Sequence, residues 1–206
     1  MAKRVSAMIL EHDIPVFSDF PVSGGYPSGI FPAETAGRPE KSNSGLKTDD
    51  RISDTGIYIG YRKYKPFPYT LQIIPRIVSL GIGCRKGTAG SSIKLAVRKI
   101  AELNSIDIRS IKGVYSIDIK AEEPGIVEFC SCMGLPFETY SAQQLMNVKG
   151  TFESSDFVKS VTGADNVCER AAACGGGSII VQKKVFGAVT AALAADDIVI
   201  SFRSRL

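Results

Sequence analysis

The sequence predicts an α/β protein: a three-layer domain with a mixed sheet and helices on both faces, preceded by a smaller Pro/Gly-rich α+β region. Three observations carry that expectation. Eight of the ten prolines fall within residues 1–76, a density that prevents long helices. From Ile77 onward, short apolar runs alternate with amphipathic stretches. The last thirty residues then read as consecutive strands. The expected division is therefore residues 1–76 and 77–206.

In the first part the pattern predicts a short helix near Ser6–His12, a strand at Pro15–Ser18 and a mobile polar loop across residues 36–51. Strands follow near Gly56–Gly60 and Leu71–Ile74. In the second part Ile77–Ile82 is a short apolar run, the mark of a strand covered on both faces. Ile93, Ala96, Val97, Ile100, Ala101 and Leu103 recur at helical spacing. Val114–Ile119 reads as a second buried strand, and Pro124 suits the first turn of a helix burying Ile126, Phe129, Cys130 and Met133. After Phe137–Tyr140, Ser141 and Gln144 form a capping box, with Tyr140 and Leu145 placed as a hydrophobic staple. A short helix from Ser154 closes at Gly163, and Asp165 or Asn166 caps an alanine-rich helix. Ser178–Val185, Gly187–Leu193 and Asp197–Phe202 complete the chain as strands.

Composition narrows the chemistry. With 44% hydrophobic and 22% charged residues this is a globular chain, and a net charge of +4 does not impose a nucleic-acid partner. There is one histidine, His12, which removes any metal site needing two or three imidazoles. Proton transfer then falls to carboxylates, lysines, tyrosines, cysteines or water. Five cysteines with irregular spacing do not make a disulfide framework. The first apolar run stops at Leu10, too soon for a signal peptide, and no stretch approaches a membrane span. A cytoplasmic protein without nucleic-acid or membrane partners is expected.

The strand-to-helix segment Gly81-Ile-Gly83-Cys84-Arg85-Lys86-Gly87-Thr88 is the first candidate site. In open α/β sheets ligands sit beyond the carboxyl ends of strands, and glycines let backbone amides approach an anion. No Gly-Lys-Ser/Thr ends the segment, so a phosphate-binding Walker loop fails. The spacing G-x-G-x-x-x-G stretches the dinucleotide fingerprint, and Asp107 and Asp118 are poorly placed as its ribose ligand. A tight turn with solvated charges and an anion-binding loop for a carboxylate ligand both remain open. The second candidate, Ser116-Ile-Asp118-Ile-Lys120 with Glu123, follows the next strand. Strand alternation puts Ser116, Asp118 and Lys120 on one face. The third is Lys183-Lys184, near the tip of the terminal hairpin.

Together these segments resemble the CbiG family of cobalamin-biosynthesis proteins and its stand-alone relative CobE. The residues are Leu80–Thr88, Ser116–Lys120 with Glu123-Pro-Gly125, Leu135-Pro136 leading to Tyr140-Ser141-Ala142, and Lys184–Gly187, in order and at matching spacing. Pro15–Asp19, Pro66–Leu71 and Ile74–Arg76 are similar to the family's central region, while nothing corresponds to its N-terminal domain. The resemblance implies hydrolysis of cobalt-precorrin-5A to cobalt-precorrin-5B, opening a δ-lactone and releasing acetaldehyde. The alternative it implies is a non-catalytic corrinoid-binding module like CobE. The cobalt would arrive within the substrate, so no cofactor or protein metal site is expected. Partners would be the cobalt-corrinoid intermediate, with a separate N-terminal domain or other corrin-pathway enzymes. Asp118 or Glu123 is the expected base, with Lys120 stabilising charge. Gly83, Cys84, Arg85, Lys86, Gly87, Thr88, Ser141, Lys183 and Lys184 are expected to bind a rim of carboxylates.

Overall fold

The computed structural model describes Lys3, residues 13–33, residues 54–149, Phe152 and residues 165–202. The expectations for residues 6–12, 36–51 and 154–163, His12 included, lie outside these. The chain divides into two compact units, Met1–Pro75 with Ile198–Leu206, and Arg76–Asp197.

The first unit is built on β1 (Ile14–Ser18), β2 (Val22–Ser23), β3 (Ile30–Pro32), β4 (Thr55–Ile59) and β5 (Tyr69–Ile73). Four of these form one sheet in the order β3-β1-β4-β5, every pair parallel. Alternation turns Ile14, Val16, Ile57 and Ile59 to one core, where Phe20, Tyr26, Ile30 and Leu71 join them. On the opposite face Phe17 and Tyr58 pair in register, and Tyr64 meets both rings edge-on.

The second unit begins with β6 (Val78–Cys84), α1 (Gly90–Leu103), β7 (Ile111–Ile117), α2 (Pro124–Met133) and β8 (Phe137–Tyr140). It continues through α3 (Ala142–Met146), α4 (Val167–Cys174), β9 (Ser178–Phe186) and β10 (Val189–Ala195). The sheet order is β8-β7-β6-β10-β9, with β6, β7 and β8 parallel and the β9–β10 hairpin antiparallel beside β6. The sheet is mixed, as expected. Two βα crossovers in one direction set α1 and α2 side by side, and α4 covers the other face across β6, β7 and β10. Ile93, Ala96, Val97, Ile100 and Ala101 of α1 are buried. Leu103, expected in that stripe, is 73% exposed because it sits at the stripe's flank in the last turn.

Two glycines permit close backbone approach, one between sheet and helix and one between a helix and the loop after β6. A Cβ on Gly81 would overlap the Cys168 carbonyl oxygen of α4, and one on Gly125 would overlap the Thr88 carbonyl oxygen. Pro124 occupies the first turn of α2, and Gly134, at φ +62, ends it in the left-handed conformation. The capping box at Ser141 forms as the sequence predicts, and Leu145 is fully buried. Asn166, rather than Asp165, caps α4.

Two expectations are corrected. The strand expected to reach Ile119 stops at Ile117, and Asp118–Lys120 form a single 3-10 turn. The shared face of Ser116, Asp118 and Lys120 is thereby lost, because strand alternation ends before Asp118. The last strand, β11 (Ile200–Ser201), does not extend the second unit's strands. It pairs parallel with β2, and Ile200 and Phe202 pack against the first unit's core.

Candidate functional site at the carboxyl edge of the second sheet

Sheet register gathers the candidate segments of the second unit at one edge. The loops after β6, β7 and β8 leave from the carboxyl ends of three neighbouring parallel strands. The β9–β10 turn reaches the same end, since Val189 pairs with Cys84 and Arg85 N–H donates to the Ala188 carbonyl (3.0 Å). This is the location where open α/β sheets grip ligands.

The first loop is a tight turn. Thr88 N–H and Oγ1 both donate to the Arg85 carbonyl (3.2 and 2.7 Å), and Gly87 takes φ +75, which favours glycine. Arg85, Lys86 and Gly87 are exposed, Thr88 is buried, and Gly83 and Cys84 are half-buried. Gly83 is closely backed by Thr190, whose hydroxyl donates to the Gly83 carbonyl (3.3 Å). Burial pushes the Cys84 thiol above its usual range, so it stays protonated near neutrality and is a poor nucleophile.

Glu123 ties this loop to the turn after β7. Its Oε1 accepts from Gly87 N–H (2.7 Å) and its Oε2 from Lys120 Nζ (2.7 Å), with both side chains largely out of solvent. The Lys120 hydrogen bond, then the Gly87 N–H and the Lys120 and Lys86 charges, outweigh burial and hold the carboxyl below its ordinary range. A carboxylate with both oxygens engaged and a lowered pKa is badly placed as a general base. Its geometry is that of a clamp. Lys120 is likewise committed to that pair.

Asp118 is the exposed carboxylate of the set. Its Oδ1 accepts from Ile119 N–H (2.7 Å), which leaves Oδ2 open to solvent at the strand end. Ser116 is fully buried and donates to the Ile82 carbonyl (2.7 Å), pinning β7 to β6. Ser141 spends its oxygen on the Gln144 N–H (3.2 Å), so its first role is to start α3. Lys183 is half-buried and Lys184 exposed, and neither ammonium has an ion-pair partner among the described residues. Among the described residues no three His, Cys, Asp or Glu side chains are grouped to share a metal ion. No described helix is long and apolar enough to cross a membrane.

The family match with known proteins falls on this unit. Residues 78–194 match the model of the family described as cobalamin synthesis G C-terminus. The chain belongs to that family. It is 31% identical over 107 residues to the cobalt-precorrin-5A hydrolase of Salmonella typhimurium, covering 52% of this chain and 30% of that protein. With the cobalt-precorrin-5A hydrolase of Priestia megaterium it shares 34% over 123 residues, 58% of this chain and 32% of the other. Protein CobE of Sinorhizobium sp is 36% identical over 120 residues, covering 56% of this chain and 77% of CobE. The chain thus spans about a third of the curated hydrolases it matches, and most of CobE.

Two solved structures share the fold. A CobE structure from the cobalamin biosynthetic pathway matches 59% of this chain and 92% of its own, with TM-score 0.54 and 24% identity. A cobalamin biosynthesis protein G homologue from Sulfolobus solfataricus matches 94% of this chain and 54% of its own, with TM-score 0.50 and 18% identity. The match to the family lies in residues 78–194, outside the segment expected to resemble its central region.

In this member of the family, sequence reasoning missed Glu169 and Thr190. Glu169 lies in the first turn of α4, 2% exposed, and its Oε1 accepts from Lys183 N–H (2.6 Å). An acidic residue three places after an Asn cap usually signals a helix start, and nothing in the local pattern shows that it faces a strand.

Proposed function

We propose that the protein acts in cobalamin biosynthesis, binding a cobalt-corrinoid intermediate by its carboxylate rim at the carboxyl edge of the second sheet. The observation that carries this reading is the convergence of a glycine turn, Arg85 and Lys86, and the Lys183–Lys184 hairpin at one sheet end. Exposed cations suit carboxylates, whose charge-assisted hydrogen bonds are about twice as strong as neutral ones.

The reaction we assign is hydrolysis of cobalt-precorrin-5A to cobalt-precorrin-5B with release of acetaldehyde. Water adds to the lactone carbonyl, and the acyl–oxygen bond breaks to give a carboxylate and a hydroxyl. As the hydroxyl loses its proton, the carbon–carbon bond breaks, acetaldehyde leaves and the ring carbon takes up a proton. Asp118 is the carboxylate free to accept the proton of water, and the exposed Arg85 and Lys86 side chains stabilise the developing oxyanion. Glu123 and Lys120 hold the two loops in register instead of reacting. A second reading, a non-catalytic corrinoid-binding module, draws support from the engagement of both Glu123 oxygens and from the coverage of most of CobE.

Anaerobic incubation with cobalt-precorrin-5A, following bound corrinoid and free acetaldehyde together, separates the two. Acetaldehyde release that falls at least tenfold in Asp118→Asn supports the hydrolase. Binding without release identifies the module, and neither binding nor release removes both readings.

A further inference from the structure

A strand irregularity and a buried carboxylate meet at Lys183. Along the hairpin, Ala191 pairs with Lys184 and Leu193 with Val181, so Gln182 and Lys183 together face Ala192. Two residues opposite one is a β-bulge, which leaves a backbone group outside the ladder and re-aims the side chains around it. Glu169 supplies the missing acceptor. Its Oε1 takes the Lys183 N–H at 2.6 Å, and the residue is 2% exposed. A carboxylate this buried is costly unless hydrogen-bonded, and its acceptor position is in turn held by α4. Asn166 Oδ1 accepts from Glu169 N–H (3.4 Å), fixing the first turn of the helix.

The same helix fixes the height of this contact. Close approach of α4 at Gly81 sets its first turn near the carboxyl end of β6. Lys184 pairs with Ala191, which pairs with Ile82, two residues from the end of β6. Lys183 therefore stands on the α4 side, just below the edge that carries Arg85 and Lys86. Lys183 is half-buried, and its ammonium has no ion-pair partner among the described residues. Burial pushes the neighbouring Cys168 thiol up to about 12, with Glu169 raising it and Lys183 opposing, consistent with the ammonium lying close to this turn.

We propose that Glu169 is a positioning residue that holds Lys183, through the bulge in β9, as an anion-binding lysine of the candidate site. This rests on the reading of that edge as a carboxylate-binding surface. Lys183 then grips a carboxylate from the α4 side of the sheet, while the glycine turn grips another from the side of α1 and α2. Glu169 touches no ligand and acts through the backbone of Lys183.

The test is equilibrium titration of the full chain with cobyrinic acid, a cobalt corrinoid with free carboxylates, and with its methyl ester. Wild-type protein is expected to prefer the acid. Lys183→Met and Glu169→Leu should each weaken acid binding about tenfold, and the double variant should be no weaker than either alone. Glu169→Gln keeps an acceptor for Lys183 N–H and should stay within about threefold of wild type. If Glu169→Leu does not fold, the contrast of Glu169→Gln with Lys183→Met decides the matter. Wild-type binding of the acid that is unaffected by Lys183→Met, losses that multiply in the double variant, or a tenfold loss in Glu169→Gln would each overturn the positioning role alone. Failure of wild type to bind the acid would overturn the site reading together with it.

Discussion

The Glu123 carboxylate accepts from Gly87 N–H and Lys120 Nζ, so protonating it breaks an ion pair largely out of solvent. Its folded pKa lies below the unfolded value of about 4.3. The stability it contributes is therefore complete above that value and is lost as pH falls through the folded pKa. Urea unfolding should show wild-type stability falling more steeply than that of Glu123→Gln as pH drops from about 4.3. Parallel curves would contradict the clamp. At neutral pH the same variant should lose about 2 kcal/mol, the scale of hydrogen bonds to a charged group. In the first unit, Tyr58 is fully buried and its hydroxyl donates to Asp19 Oδ2 at 2.5 Å. Burial, reinforced by Asp19, raises the Tyr58 phenol well above its usual range. Tyr58→Phe should cost about 1 kcal/mol in urea unfolding, and no loss would mean that solvent replaces the bond freely.

The loop after β6 depends on glycines whose roles differ. Gly125 has no room for a Cβ against the Thr88 carbonyl, whereas Gly87 has open space but φ +75. Gly125→Ala should cost about 2 kcal/mol or more through displaced backbone, and Gly87→Ala about 1 kcal/mol through conformation. Equal losses in thermal or urea unfolding would contradict that distinction. The elements legible in the sequence were those set by local signals. The apolar run of β6, the periodicity of α1, Pro124 in α2 and the Ser141 capping box all gave the right structure. What the sequence concealed depends on distant pairing. The parallel register of β11 with β2, the bulge opposite Ala192 and the burial of Glu169 have no local signature. The candidate site was half legible: its loops follow from the strand–helix alternation, but the engagement of Glu123 and the turn that separates Asp118 from Ser116 arise only in three dimensions.

Across the whole molecule, the chain returns to its first unit at the end, with Ile200 and Phe202 packed on the core of Ile14, Val16, Ile57 and Ile59. Deleting residues 198–206 should therefore speed amide exchange in β1 and β4, and unchanged exchange there would contradict that packing role. The second unit carries the match to the cobalamin-synthesis G C-terminal family and the edge that joins its loops. The central claim is that this edge binds a corrinoid through carboxylates. It is tested most directly by titrating wild type and the Arg85→Glu/Lys86→Glu variant with cobyrinic acid at two salt concentrations. The account predicts binding by wild type that weakens with salt, and at least a tenfold loss in the variant. Binding indifferent to both salt and charge reversal, or no binding by wild type, would contradict it.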